Sequence, residues 1–158
     1  MRRKAFCGIV EKSYALMDYL NARNLKGSST DTIINNGECG KERPDRVFEL
    51  EDKILIIECD ENQHKDRNCE CEQTRMVNIS QSFGGTPVYF IRFNPDDYSS
   101  NKKPENIKTR YKLIGDFIQD IINNKIILPE ALTCVFYLYY DGWDKIINQK
   151  WNIIISYE

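Results

Sequence analysis

Phe6, Ile9, Val10, Leu16, Met17 and Leu20 recur at helical spacing and predict a helix from about Gly8 to Arg23 with one buried stripe. The stretch that follows, rich in Gly, Ser and Asn, reads as loop around a short edge strand at Thr32 to Asn35. Arg46 to Leu50 and Ile54 to Asp60 are β-rich runs separated by Glu51, Asp52 and Lys53, the pattern of a hairpin. The second run, ILIIEC, is apolar on both faces and so predicts an interior strand of a sheet covered on both sides. Met76, Ile79 and Phe83 then mark a helix over Glu70 to Phe83 that Gly84-Gly85 can stop, and VYFIRF reads as a second buried strand. A strand, helix and strand in that order imply a crossover to a parallel neighbour, right-handed by the usual preference.

Beyond the turn NPDDY, Pro104-Glu105 opens a helix with Ile107, Tyr111, Ile114, Phe117, Ile118 and Ile121 on one side. TCVFYLYY and WNIIISY flank the Asp141-Gly142 turn region as strands, forming a terminal hairpin. With 158 residues there is material for one continuous core. The elements predict a single α/β domain, residues 1–158, built around a mixed sheet.

Composition changes little: 41% hydrophobic and 29% charged residues are those of an ordinary globular chain. The apolar positions of the first segment are interrupted by Glu11, Lys12 and Asp18, which excludes a signal-peptide core or membrane span there and leads to the expectation of an intracellular protein. A net charge of −2 gives no global pull toward nucleic acid, so DNA binding has to use local basic patches. Cys7, Cys39, Cys59, Cys69, Cys71 and Cys134 are expected as free thiols or metal ligands in such a compartment.

The chemistry concentrates in RPDRVFELEDKILIIECDENQH. Glu58 and Asp60 are two residues apart at a strand end and project to one face. If the hairpin turns on Glu51-Asp52, Leu50 faces Lys53 and continuing the register sets Asp45 across from Glu58, with Cβ atoms roughly 5 Å apart. A turn one residue later opposes Asp45 to Asp60, whereas a three-residue turn or a bulge reverses the facing. Three converging carboxylates repel one another unless neutralised, which suits Mg²⁺ or Mn²⁺ with oxygen ligands. Such an ion can activate water for phosphodiester cleavage. His64, four residues beyond Asp60, can carry a proton near neutral pH, and Gln63 can position water.

Pro44-Asp45 followed by ILIIECDENQH resembles the PD-(D/E)xK nuclease superfamily, and the E-x-D-x-x-Q-H ending of that run is similar to the branch related to very-short-patch repair endonucleases. HKDRNCECEQTR followed by PVYFIRFNPDDY also resembles nuclease-like proteins of large DNA viruses and protists, which extends the expected location to the cytoplasm or nucleus of an infected host cell. The resemblance spans Arg43 to Tyr98. It implies a restriction-endonuclease-like αβββαβ core with a mixed central sheet flanked by helices, plus C-terminal strands. It also implies a Mg²⁺- or Mn²⁺-dependent endodeoxyribonuclease, and a homodimer. Asp45 and Glu58 match the acidic positions and would ligate metal with Asp60, which stands where the superfamily lysine would be. Lys65, Gln73 or Arg75 could fill that lysine's role from the following turn and helix.

Cys39, His64, Cys69 and Cys71 form a second constellation with the residue types of a tetrahedral Zn²⁺ site, and the repair endonucleases resemble it in carrying structural zinc. The two roles for His64 compete, because a histidine on zinc cannot shuttle protons. Lys65, Arg67 and Arg75 flank the carboxylates, with Lys102, Lys103, Lys108, Arg110 and Lys112 farther along, as a track for a phosphate backbone. Tyr137, Tyr139, Tyr140, Trp143 and Trp151 are candidates for stacking on bases or for plain core packing. The blander alternative is that the carboxylates solvate strand ends or pair with Arg43, Arg46 and Lys65. The competing function is a catalytically silent nuclease-like module that binds nucleic acid or a partner protein and is stabilised by zinc.

Overall fold

The computed structural model describes residues 2–28, 34–35, 41–42, 44–65, 69–143 and 155–157, with side chains for 12–28, 44–63, 65 and 70–143. The first helix, α1 (Arg2–Ala22), begins a turn and a half before the predicted Gly8. It buries Leu16, Met17 and Leu20, the C-terminal part of the predicted stripe. A small ribbon of β1 (Ile34–Asn35) and β2 (Lys41–Glu42) follows, so the short strand expected at Thr32 to Asn35 pairs within its own loop and not at the edge of the main sheet.

The main sheet holds β3 (Arg46–Glu49), β4 (Ile54–Cys59), β5 (Val88–Phe93), β6 (Thr133–Leu138) and β7 (Ile155–Tyr157), in that spatial order. β3 and β7 run antiparallel to their neighbours, while β4, β5 and β6 are mutually parallel. The predicted terminal hairpin is thus seen in the pairing of β6 with β7; the part of its connection from 144 to 154, including Trp151, lies outside the described residues. Every residue of β4 and of β5 is buried, as expected for strands covered on both faces.

Helices α2 (Cys69–Ser82) and α3 (Ile107–Ile122), together with α1, do the covering. Leu55, Ile57, Ile91 and Phe136 pack against Leu16 and Leu20 of α1 and Ile114, Phe117 and Ile118 of α3. The alternate residues Ile54, Ile56, Val88, Phe90 and Val135 pack against Met76 and Ile79 of α2. The protein is therefore α/β, and among the described residues the mixed sheet lies between α2 on one side and α1 and α3 on the other. Because α2 and α3 each carry the chain one strand onward in the same direction on opposite faces, their crossovers have opposite hands. The right-handed preference accordingly holds for one of them only.

Two local features fix the site's end of the sheet. α3 starts at Ile107, later than the predicted Pro104, because the Asn106 side chain caps it by accepting from the Thr109 N–H at 2.9 Å. The outer edge of β3 is engaged by the segment after α1, where the Ser28 N–H donates to the Val47 carbonyl at 2.7 Å. Gly27 makes that approach feasible: its φ is +75°, and a Cβ there would lie 2.7 Å from the Val47 oxygen.

Candidate active site

The hairpin register decides where the acids fall. The Leu50 N–H donates to the Lys53 carbonyl at 2.9 Å, and Arg46 pairs with Ile57, so one further step of the ladder sets Asp45 opposite Glu58. Glu58 is in turn beside Arg92 on β5, and Arg92 beside Tyr137 on β6. A row of acid, acid, guanidinium and phenol thus crosses four strands on the face covered by α2. Asp45 anchors its end by accepting the Cys59 N–H at 2.7 Å.

Along this row and at its end, Glu58 and Asp60 are each neutralised by an arginine. Glu58, 5% exposed, accepts from Nη2 of Arg75 at 2.8 Å, and α2 supplies that arginine one turn before Ile79 enters the core. Asp60 is 0% exposed. Arg92 grips it with Nε to Oδ2 at 2.5 Å and Nη2 to Oδ1 at 3.0 Å, and the Tyr140 hydroxyl also donates to Oδ2. Nη2 of Arg92 reaches Glu72, in the first turn of α2, at 2.6 Å. Burial pushes the Glu58 carboxyl up to about 7, with Asp45 and Asp60 pushing the same way and Arg75 and Arg92 opposing. Although Asp45 is solvent-exposed, the protein packed around its carboxyl and the charge of Asp60 raise its pKa too, against the hydrogen bonds from Cys59 and Ser13. Burial, then the Asp60 charge, raises the Tyr140 phenol, so it stays a donor.

No protein family, curated protein or solved structure matches the chain.

Asp45, Glu58, Asp60 and Arg75 are brought together; several other expected members are not. Gln63 lies in a short 3-10 turn, Glu61–His64, in which Asn62 and Gln63 have φ of 50° and 57°. Both ends of its amide are taken by Asp141: it donates to Oδ1 at 3.0 Å and accepts the Asp141 N–H at 2.9 Å. Gln63 therefore clasps the turn to the loop after β6 instead of facing the carboxylates. Lys65 is exposed and pairs with Asp141 at 3.0 Å, and Gln73 is exposed, so of the three candidates for the lysine role it is Arg75 that bonds to one of the expected carboxylates, Glu58. Arg46, a partner in the blander alternative, bonds instead to Asn21 and the Leu25 carbonyl, and Lys65 to Asp141. Cys39, Arg43, Arg67 and the side chains of His64 and Cys69 lie outside the described residues. Cys71 is disulfide-bonded, which corrects its expected place among free thiols or zinc ligands, since its sulfur offers no thiolate in this state.

The basic and aromatic sets also divide. Arg75, 3% exposed, and Arg110, 6% exposed, serve the interior and not a phosphate track. Arg110 stacks on Tyr98 and Tyr139 and donates to the carbonyls of Asn94 and Asp96 at 3.2 and 2.7 Å. Lys102, Lys103, Lys108 and Lys112 remain exposed. Tyr139 and Trp143 belong to the core against α3, while Tyr137 and Tyr140 meet edge to face, 4.8 Å between centroids, beside the carboxylates. The residues missed in sequence are Glu72 and Arg92, and Tyr140, expected to stack on bases or pack, instead donates to Asp60. An arginine inside the buried run VYFIRF was the available signal, because a buried guanidinium has to find carboxylates.

For a divalent ion the donor set fits in part. Among the described residues no group of three or more His, Cys, Asp or Glu stands placed to hold one. Asp60, expected as a ligand, has both oxygens engaged by Arg92 and Tyr140. Asp45 and Glu58, facing each other across β3 and β4, are the pair suited to a hard cation.

Proposed function

We propose that the protein is a Mg²⁺- or Mn²⁺-dependent endonuclease that hydrolyses DNA phosphodiester bonds, with Asp45 and Glu58 as the metal-holding pair. The observation that carries this reading is the register that opposes a solvent-exposed Asp45 to a buried Glu58 at one end of the sheet. A divalent ion bound there would supply activated water and offset charge developing on the phosphate. Glu58, with a carboxyl held near neutrality in pH, becomes a better ligand once a cation favours its charged form. Arg75 keeps Glu58 oriented and brings a permanent positive charge next to it, in the part a motif lysine would play. Lys65, Lys102 and Lys103 are exposed and suit the phosphate backbone, the Lys65–Asp141 pair being a surface contact that a phosphate can displace. No described helix is long and apolar enough to cross a membrane.

Nicking of supercoiled plasmid and cleavage of single-stranded or branched DNA, with Mn²⁺ and with EDTA, test the proposal. Asp45→Asn and Glu58→Gln are expected to lose activity beyond the roughly 10–100-fold typical of outer-shell metal partners; unchanged rates in both would remove the assignment. A second reading, a silent nuclease-like module that binds nucleic acid, is favoured by the arginines that already neutralise Glu58 and Asp60. DNA binding without cleavage on any of these substrates would select it.

A further inference from the structure

Arg92 lies in an otherwise apolar strand and is 2% exposed, yet it is held from two elements at once. Its fork takes Asp60 at the end of β4, its Nη2 also takes Glu72 in the first turn of α2, and Tyr140 closes on the same Asp60 oxygen that Nε contacts. In the sheet it stands beside Glu58. Asp45, Glu58, Asp60 and Glu72 together with Arg75 and Arg92 leave an excess of two negative charges when all are ionised, which one divalent ion cancels. Sites that hold two ions keep them roughly 3.5–4 Å apart and need carboxylates free to face both. Here the carboxylate that would face the second is committed to a planar guanidinium.

We propose that the Arg92 guanidinium occupies the place of a second divalent cation, so that the sheet end takes one ion through Asp45 and Glu58, and Asp60 is a positioning residue and not a ligand. The inference rests on the metal-dependent reading above. It assigns to Arg92 a task beyond packing: it joins the end of β4, the start of α2 and the Tyr140 loop while keeping Asp60 from the ion. α2 is thereby held where Arg75 meets Glu58.

The test counts Mn²⁺ bound by the full chain, by electron paramagnetic resonance and calorimetry, with folding followed by circular dichroism. Wild type and Arg92→Lys, which keeps the charge, are expected to bind one ion. Arg92→Gln releases Asp60 and is expected to bind one ion more than wild type, although it melts lower; adding Asp60→Asn removes the extra ion. A gained ion is a result that a merely structural arginine does not give. Asp60→Asn alone, in which Arg92 keeps Glu72, should still bind the wild-type ion, weakened by no more than the roughly 10–100-fold typical of outer-shell partners, against the larger loss that follows removal of a ligand. A folded Arg92→Gln with the wild-type count overturns the inference. So does loss of the wild-type ion in Asp60→Asn, and that variant decides the matter by itself should Arg92→Gln not fold. A wild type that binds no Mn²⁺ contradicts the metal-dependent reading instead, and the increment between wild type and Arg92→Gln still reads the role of Arg92.

Discussion

Glu58 shows how one buried side chain ties stability to pH. Its carboxyl is raised from 4.5 to about 7, so the folded protein holds the proton more tightly than the unfolded chain does. The resulting stabilisation is full below about 4.5 and is lost as pH climbs through about 7, a difference of roughly 3 kcal/mol. Wild-type protein without added metal should therefore melt at lower temperature at about pH 8 than at about pH 5, and Glu58→Gln should flatten that slope. Melting curves across this range check it; equal slopes in the two proteins would mean that Glu58 titrates normally. At this scale the sequence disclosed Asp45, Glu58 and Asp60 but not their partners. Acids at a strand end declare themselves through spacing of two and a hairpin turn, both local. The Arg92 partnership depends on how β4 and β5 align across an intervening helix, which no local pattern specifies.

Elements bring further constraints that act through backbone and loops. The start of the sheet is closed by the chain after α1, and Gly27→Ala would set a Cβ against the Val47 carbonyl at a positive φ. It should cost about 1–3 kcal/mol in urea unfolding; a cost near zero would mean that this segment does not seal the edge of β3. The loop after β5 is organised by Asn94, 0% exposed, whose side-chain amide donates to the carbonyls of Asp96, Asp97 and Tyr139. Arg110 braces the same loop, so Arg110→Met should lower stability by about 2–4 kcal/mol without changing the salt dependence of DNA binding. Lys102→Ala and Lys103→Ala should do the reverse, each lowering the slope of log affinity against log salt by about one if it meets a phosphate. Fluorescence anisotropy over a salt series separates the two classes. Arg110 was placed with the surface bases because helix spacing says nothing about a loop folding over a side chain.

On the scale of the whole molecule, the apolar runs of β4 and β5, flanked by helical stripes, were sufficient to foresee an α/β domain with a covered mixed sheet. The hand of the crossovers was not legible, since it follows from which face each helix covers, and α2 and α3 choose opposite ones. This choice matters for the site: among the described helices it is α2 that covers the face carrying Glu58, and it brings Arg75 and Glu72 with it. The arrangement converts a list of acids into a sheet end where Asp45 opposes Glu58, itself paired with Arg75, and where Arg92 holds Asp60 and Glu72 together. The most direct measurement is the anomalous diffraction of a crystal soaked in Mn²⁺. A single peak is expected between the carboxylates of Asp45 and Glu58 with Asp60 still held by Arg92, whereas no peak there, or a peak ligated by Asp60, would contradict a one-ion site at this sheet end.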